Sequence, residues 1–166
     1  MGFKSYTFAR PNSSDCSITI REFKALCKQG HLHSAIRILY YLEEQGYQKS
    51  SYTYVCLLQG CTQSNALEEG RLIHGDVVKH DLNPNIFISS TIIHMYARLG
   101  SIEDAQVVFD GMPERNLVTW STMIAMLFEY GMSVEALHFY EDMLNDGFEP
   151  NHVTLLSILK ACSKLN

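Results

Sequence analysis

Long apolar runs are missing from this sequence. None reaches the ~18 residues that a membrane helix needs, so no segment reads as membrane-spanning and a membrane is not expected as a partner. Positive charge is scarce as well. Thirteen Lys and Arg stand against eighteen Asp and Glu, a formal net charge of −5, which argues against holding polyanions through a broadly basic surface. It leaves room for a binder whose few cations line one groove. Charged residues make up only 19% of the chain and hydrophobic ones 46%, enough to build a core and too apolar for a disordered polymer. The cysteines are few and odd in number: Cys16, Cys27, Cys56, Cys61 and Cys162, spread through stretches of helical spacing. They read as buried free thiols in a reducing compartment rather than as disulfides or metal ligands.

Catalytic signatures are missing too. There is no P-loop, no Gly-x-Ser-x-Gly elbow, and no His-x-Glu followed by Cys-x-x-Cys of the zinc deaminases. Cys27, His31 and His33 are close in sequence but straddle a predicted helix end, and no second ligand cluster at zinc spacing accompanies them. His74 and His80 fall on different faces of one predicted helix. No metal, cofactor, small-molecule substrate or catalytic residue is expected.

What is present is a repeat. Gly30, Asn65, Gly100 and Gly131 align at intervals of 35, 35 and 31 residues, and Asn166 stands 35 beyond Gly131. Gly and Asn share the capacity to end a helix at positive φ, so these positions read as the turn from one helix into the next. Five residues on, each copy has a small side chain (Ala35, Gly70, Ala105, Ala136) that lets the second helix of a pair lie close against the first. The acids Glu68, Glu69, Glu103, Asp104 and Glu135 sit near the starts of the second helices, where the helix dipole favours them.

Apolar residues between these marks recur at helical spacing. Ile88, Ile92, Ile93, Met95 and Tyr96 precede Gly100; Ile102, Ala105, Val108, Phe109 and Met112 follow it, stopped by Pro113. In the next copy Trp120, Met123, Ile124 and Leu127 are expected to face Val134, Leu137, Phe139, Tyr140 and Met143. The chain reads as all-α. Each hairpin has apolar surface on more than one side, which only stacking on sequence neighbours can bury, so the expected architecture is a solenoid.

With this register the text resembles the plant pentatricopeptide-repeat family, in its variant with alternating motif lengths. The most specific stretch is MYARLGSIEDAQVVFDGMPERNLVTWSTMI (Met95 to Ile124), followed by EPNHVTLLSILKACS (Glu149 to Ser163). The likeness extends over roughly nine-tenths of the chain. It implies a right-handed α-α superhelix of helix–turn–helix repeats like those of tetratricopeptide proteins, divided as 16–50, 51–85, 86–116 and 117–151, with 152–166 the first helix of an incomplete repeat. Residues 1–15 would be a leader: Lys4, Arg10 and three serines with no acid before Asp15 have the composition of an organelle transit peptide, although Pro11 interrupts any amphipathic helix there.

The resemblance further implies sequence-selective binding of single-stranded RNA, one base per repeat. Carried over by position, the base-reading pairs are Ile20 with Ser50, Val55 with Asn85, Ser90 with Asn116, and Ser121 with Asn151. The last two have the hydroxyl-plus-Asn combination that implies adenine; Ile20 and Val55 have no hydrogen-bonding side chain. Base-sandwiching residues would be Phe87, Val118 and Val153, with Ser17 and Tyr52 at the equivalent earlier positions. Two places before each cap stand Lys28, Gln63, Arg98, Glu129 and Lys164. Of these Lys28, Arg98 and Lys164 form either a broken ladder of phosphate contacts or a set of helix-end cations favoured by the dipole. The implied setting is a mitochondrion, or else a chloroplast. There the protein would serve C-to-U editing or other RNA processing, with editing-complex proteins or a deaminase supplied by another chain. The alternative is a protein-binding helical scaffold, although the Trp-x-x-Leu-Gly-x-x-Tyr signature of tetratricopeptide repeats is missing. Because four repeats read at most about four nucleotides, too few to specify one transcript, and because Leu156, Ile158 and Leu159 have no following helix to cover them, the chain is expected to be part of a longer array or to dock on a partner.

Overall fold

The computed structural model describes residues 13–82 and 85–164, with side chains at residues 19–82, 85–152 and 154–159. Most of the proposed leader, and the side chains of Ser17, Val153 and Lys164, lie outside the described residues. Among the described residues there are nine helices and no strand: α1 Ser13–Lys28, α2 Leu32–Glu44, α3 Ser51–Ser64, α4 Leu67–Lys79, α5 Ile86–Leu99, α6 Ile102–Asp110, α7 Leu117–Glu129, α8 Ser133–Asn145 and α9 His152–Lys164. None of them is long and apolar enough to cross a membrane.

The helices pair as α1/α2, α3/α4, α5/α6 and α7/α8, and the odd-numbered helices also pack on each other in sequence, α1 on α3, α3 on α5, α5 on α7 and α7 on α9. The protein is therefore two layers, an inner one of first helices and an outer one of second helices. The apolar pattern accounts for this. Ile88, Ile92, Ile93, Met95 and Tyr96 of α5 are all buried, and so are Trp120, Met123, Ile124, Met126 and Leu127 of α7. Helices apolar over so much of their girth need neighbours on several sides.

The turns form where the sequence places them. Gly30, Asn65, Gly100 and Gly131 have φ of 74°, 55°, 80° and 79°, and each is followed within two residues by the next helix. The small residues five positions later lie in the helix–helix contact: Ala35, Ala105 and Ala136 are fully buried. At Gly70 a Cβ would come within 2.5 Å of Met95 Sδ, so the methionine of α5 fills the space that alanine takes elsewhere.

The 31-residue interval also has a local cause. Helix α6 has 9 residues where α2, α4 and α8 have 13. The shortening removes about one turn of the outer layer and leaves α5 and α7 of full length. Phe109, Trp120 and Phe139 pack edge-on and tilted at this junction, with centroids 4.7–6.0 Å apart, and the Arg115 guanidinium lies 4.7 Å above the Phe109 ring. On the outer side Arg71 of α4 bonds Asp104 of α6 at 2.8 Å and Glu68 of its own helix at 2.8 Å, tying adjacent repeats.

One expectation is modified. Val134 is exposed rather than facing α7, because it lies in the first turn of α8 at the edge of the apolar face, and Ala136 makes the close contact instead. Helix α1 begins at Ser13, three residues ahead of position 16. Cys27, Cys56 and Cys61 are buried free thiols, and burial pushes Cys27 and Cys61 up to about 12, where they stay protonated and unreactive.

Substituting Ala105→Leu forces an isobutyl group between α6 and α5. The expected cost is about 1–3 kcal/mol of unfolding free energy, read as a lower midpoint in urea; an unchanged midpoint would show that the layers have slack at this point.

Candidate nucleic-acid interface

The last residue of each proposed repeat turns out to be the N-cap of the following first helix. Ser50 and Asn116 form capping boxes with Thr53 and Thr119, three residues on. Asn85 Oδ1 accepts from the amides of Phe87 and Ile88 at 3.0 and 3.3 Å. Asn151 Oδ1 accepts from the Thr154 amide and the Thr154 hydroxyl at 3.0 and 3.1 Å. Capping thus fixes these side chains at the ends of the inner-layer helices, with the amide oxygen of each Asn committed to the backbone.

Two open grooves cross the inner layer, one repeat apart and built from equivalent positions. The first, of about 510 Å³, is walled by Phe87 and Val118 and lined by Ser90, Thr91, His94 and Asn116, with Gln59, Thr62, Gln63 and Lys28 on its far side. The second, of about 340 Å³, begins at Val118 and is lined by His94, Ala97, Arg98, Ser121, Thr122, Ala125, Met126, Glu129 and Asn151. Each contains one hydroxyl–Asn pair, one member of the Lys28/Gln63/Arg98/Glu129 row at least, and Val118 as a shared partition. Phe87 is 76% exposed and Val118 60%, so both stand free of the core, where an apolar side chain gains nothing from folding. Tyr52, at the equivalent earlier position, carries Lys24 Nζ 4.4 Å over its ring.

The two pairs differ in state. The Ser90 and Ser121 hydroxyls both donate to the carbonyl four residues back, Ile86 and Leu117, which leaves their lone pairs as acceptors. Asn151 Nδ2 donates to Ser121 Oγ at 3.1 Å, and Thr154 Oγ1 lies 3.1 Å from the same oxygen, so this pair is closed on itself and Ser121 is only 5% exposed. At the first groove, Asn116 Nδ2 makes no hydrogen bond among the described residues and Ser90 is half-buried; that pair is open. The weaker pairs enter neither groove. Ile20 and Val55 are half-buried, Val55 against the core, and Ser50 and Asn85 act as caps.

Charge is segregated between the layers. First helices carry six Lys and Arg against three Asp and Glu; second helices carry three against eleven. The chain's negative balance therefore belongs to the outer layer. The groove side has Lys28 and Arg98, both exposed, and Glu129 as the one acid of the second groove.

Comparison with known proteins decides the family. Residues 87–117 match a model described as PPR repeat, and residues 115–164 one described as PPR repeat family. The chain is 34% identical over 149 residues to the chloroplast pentatricopeptide repeat-containing protein CRR2 of Arabidopsis thaliana, covering 86% of this chain and 23% of that protein. It is 32% identical over 155 residues to a mitochondrial pentatricopeptide repeat-containing protein of the same plant, covering 93% of this chain and 25% of that one. This chain belongs to the pentatricopeptide-repeat family. Among solved structures it superimposes with a TM-score of 0.75 on the pentatricopeptide repeat protein PPR10 in complex with an 18-nt psaJ RNA element, at 20% identity, covering 98% of this chain and 24% of that one. It also matches PPR10 from maize, with a TM-score of 0.66 at 25% identity over 82% of this chain and 21% of that one. The fold is that of a pentatricopeptide-repeat solenoid, and the chain spans about a quarter of the length of the proteins it matches.

The repeat register of the pentatricopeptide family also sets out a second row of equivalent positions. Lys24, Gln59, His94, Ala125 and Lys160 stand one helical turn ahead of Lys28, Gln63, Arg98, Glu129 and Lys164. Gln59, His94 and Ala125 line the grooves. Positions four apart on a helix share a face. Partial burial, with the Arg98 cation nearby, holds the His94 imidazole below its ordinary value.

The capping role gives a stability test. Asn116→Ala should cost about 1 kcal/mol, while Asn116→Asp, an equally good cap, should stay within a few tenths; denaturation of the two variants side by side checks this, and equal losses would show that Asn116 is not acting as a cap.

Proposed function

We propose that this chain binds single-stranded RNA, one base per repeat, with the two grooves as adjacent stations. The observation that carries the reading is the recurrence of the same set of groups in both grooves, on the layer from which negative charge has been withdrawn. Ser90 with Asn116 takes a base edge as it stands, and Ser121 with Asn151 takes one on giving up the hydrogen bond from Asn151 Nδ2 to Ser121 Oγ; Phe87, Val118 and Val153 stack against its faces. Lys28, Arg98 and Lys164 meet phosphates. Val55 with Asn85, and Ile20 with Ser50, enter neither groove and are assigned no base contact. The proposed repeat boundaries follow: 16–50, 51–85, 86–116, 117–151 and a last first helix at 152–166. PPR10, whose fold this chain shares, is described in complex with an RNA element.

The donor–acceptor polarity of a station follows from the capping geometry. With Oδ1 turned to the backbone, Asn offers an N–H; with its proton on the helix carbonyl, Ser offers a lone pair. Adenine presents the complement, a ring nitrogen acceptor beside an amino donor. The relatives' designations as chloroplastic and mitochondrial favour an organelle as the setting. There the chain would act in C-to-U editing or other processing, with catalysis supplied by another protein.

Anisotropy with a U-rich 12-mer containing two adjacent adenines tests the reading. Replacing both adenines by uracil, or using Asn116→Asp and Asn151→Asp together, should weaken binding by about tenfold or more, as for loss of one good bidentate contact. Equal affinity for the adenine-free RNA, or for the same sequence as DNA, would overturn it. A second measurement concerns salt. With about three phosphates neutralised, the slope of log K against log salt should be shallow, about −2; a much steeper slope would indicate non-specific polyanion binding instead.

A further inference from the structure

His94 and Val118 are the two side chains that line both grooves, so a strand passing from one station to the next passes both. Val118 is apolar and suits a base. His94 stands four residues after Ser90 and four before Arg98, so hydroxyl, imidazole and guanidinium follow one another on one helix face, each about 6 Å further along the axis. In that order the base edge belongs at Ser90 and the phosphate at Arg98, which puts the imidazole beside the sugar–phosphate linkage joining the two nucleotides. The neighbouring repeats carry hydrogen-bonding or cationic side chains at the equivalent positions, Lys24, Gln59 and Lys160, with Ala125 the exception.

We propose that His94 is a backbone contact shared by the two stations, and that RNA binding is accompanied by uptake of one proton on its imidazole. The inference rests on the RNA reading above. The charged groups facing His94 are Arg98 from its own helix, Lys28 from α1 across the first groove, and Glu129 from α7 across the second. Helix α3 presents only Gln59, Thr62 and Gln63, which do not titrate. In the free chain partial burial and the Arg98 cation hold the imidazole's pKa below its ordinary value. A phosphodiester entering the groove pairs with Arg98 and adds negative charge beside the ring, which favours the imidazolium; the proton comes from solvent, and one N–H bond forms. The sign follows. Since the His94 pKa is depressed in the free chain and raised in the complex, affinity grows as pH falls through the window between the two values and levels off below the lower one.

The experiment measures the affinity of the full 166-residue chain for the U-rich 12-mer with two adenines, at fixed salt, from pH 5.5 to pH 8. The wild type should bind about tenfold more tightly at pH 5.5 than at pH 7.5, the change produced by a one-unit rise in pKa on binding. His94→Gln should flatten the profile to within about twofold, and His94→Lys should keep tight binding at pH 7.5 with the same flatness. Because the His94 side chain lines the open grooves rather than the core, both variants should fold, as circular dichroism can check. A pH slope that survives in His94→Gln overturns this inference while leaving the RNA reading intact. Absence of binding by the wild type at every pH overturns both.

Discussion

A single hairpin of this sequence has no way to hide its apolar surface. Helix α5 buries Ile88, Ile92, Ile93, Met95 and Tyr96, residues that point in too many directions for α6 alone to cover. At about 1.5–3 kcal/mol for each buried aliphatic side chain, leaving one flank open would forfeit an energy comparable to the roughly 5–15 kcal/mol by which domains are stable. Lateral stacking of first helices is thus the condition for folding at all. Its by-product is that residues with the same number in successive repeats stand in rows. The face bearing those rows is the part of the inner layer that packing does not claim, which is why an exposed Phe87 or Val118 there is informative where an exposed leucine at a helix end is not.

The irregular interval shows how strictly the inner layer is conserved in geometry. Four residues are missing between Gly100 and Gly131, and they are missing from α6, in the outer layer. Four is close to one turn, so the remainder of α6 keeps its apolar side turned inward. A deletion of two would have swung that side through about 200° and exposed Phe109 or Val108. The lost turn is made good by the aromatic cluster of Phe109, Trp120 and Phe139 beneath Arg115, while α5 and α7 keep their spacing and the two grooves stay equivalent.

The features legible in the sequence are those with a local cause. Positive φ at Gly30, Asn65, Gly100 and Gly131, the small contact residues at 35, 70, 105 and 136, and the helical period each follow from one residue's sterics or from spacing. Val134 shows where period alone runs out: at the first turn of a helix, whether a residue at the edge of the apolar stripe is covered depends on the angle at which the next helix crosses it. In the interface, register put Ser90 beside Asn116 and Ser121 beside Asn151, but gave no hint that one pair is open and the other closed. The amides of Thr119 and Thr154 hold the two asparagines alike; what differs is the hydroxyl, which in Thr119 donates to the Asn116 backbone carbonyl and in Thr154 reaches the Asn151 side chain and Ser121 Oγ. Charge was misleading for a different reason. A total over the chain discards the assignment of each residue to a layer, and the layers have opposite signs.

The capping asparagines connect folding to recognition. An N-cap must present an oxygen to the backbone, so the choice of Asn at 116 and 151 over Ser or Asp adds nothing to the cap itself. What Asn adds is the amide nitrogen, held rigidly because the oxygen beside it is anchored. A serine one turn inside the previous first helix is held in the same way, its proton taken by the carbonyl four residues back. Neither group can rotate to reverse its polarity without breaking a bond that the helix end needs. At the first groove, where the pair is open, this presents a donor and an acceptor in fixed order; at the second the two are bonded to each other. The hydrogen bonds that fix this order are the ones that start the helix at Asn116 and that tie Ser90 to the carbonyl of Ile86.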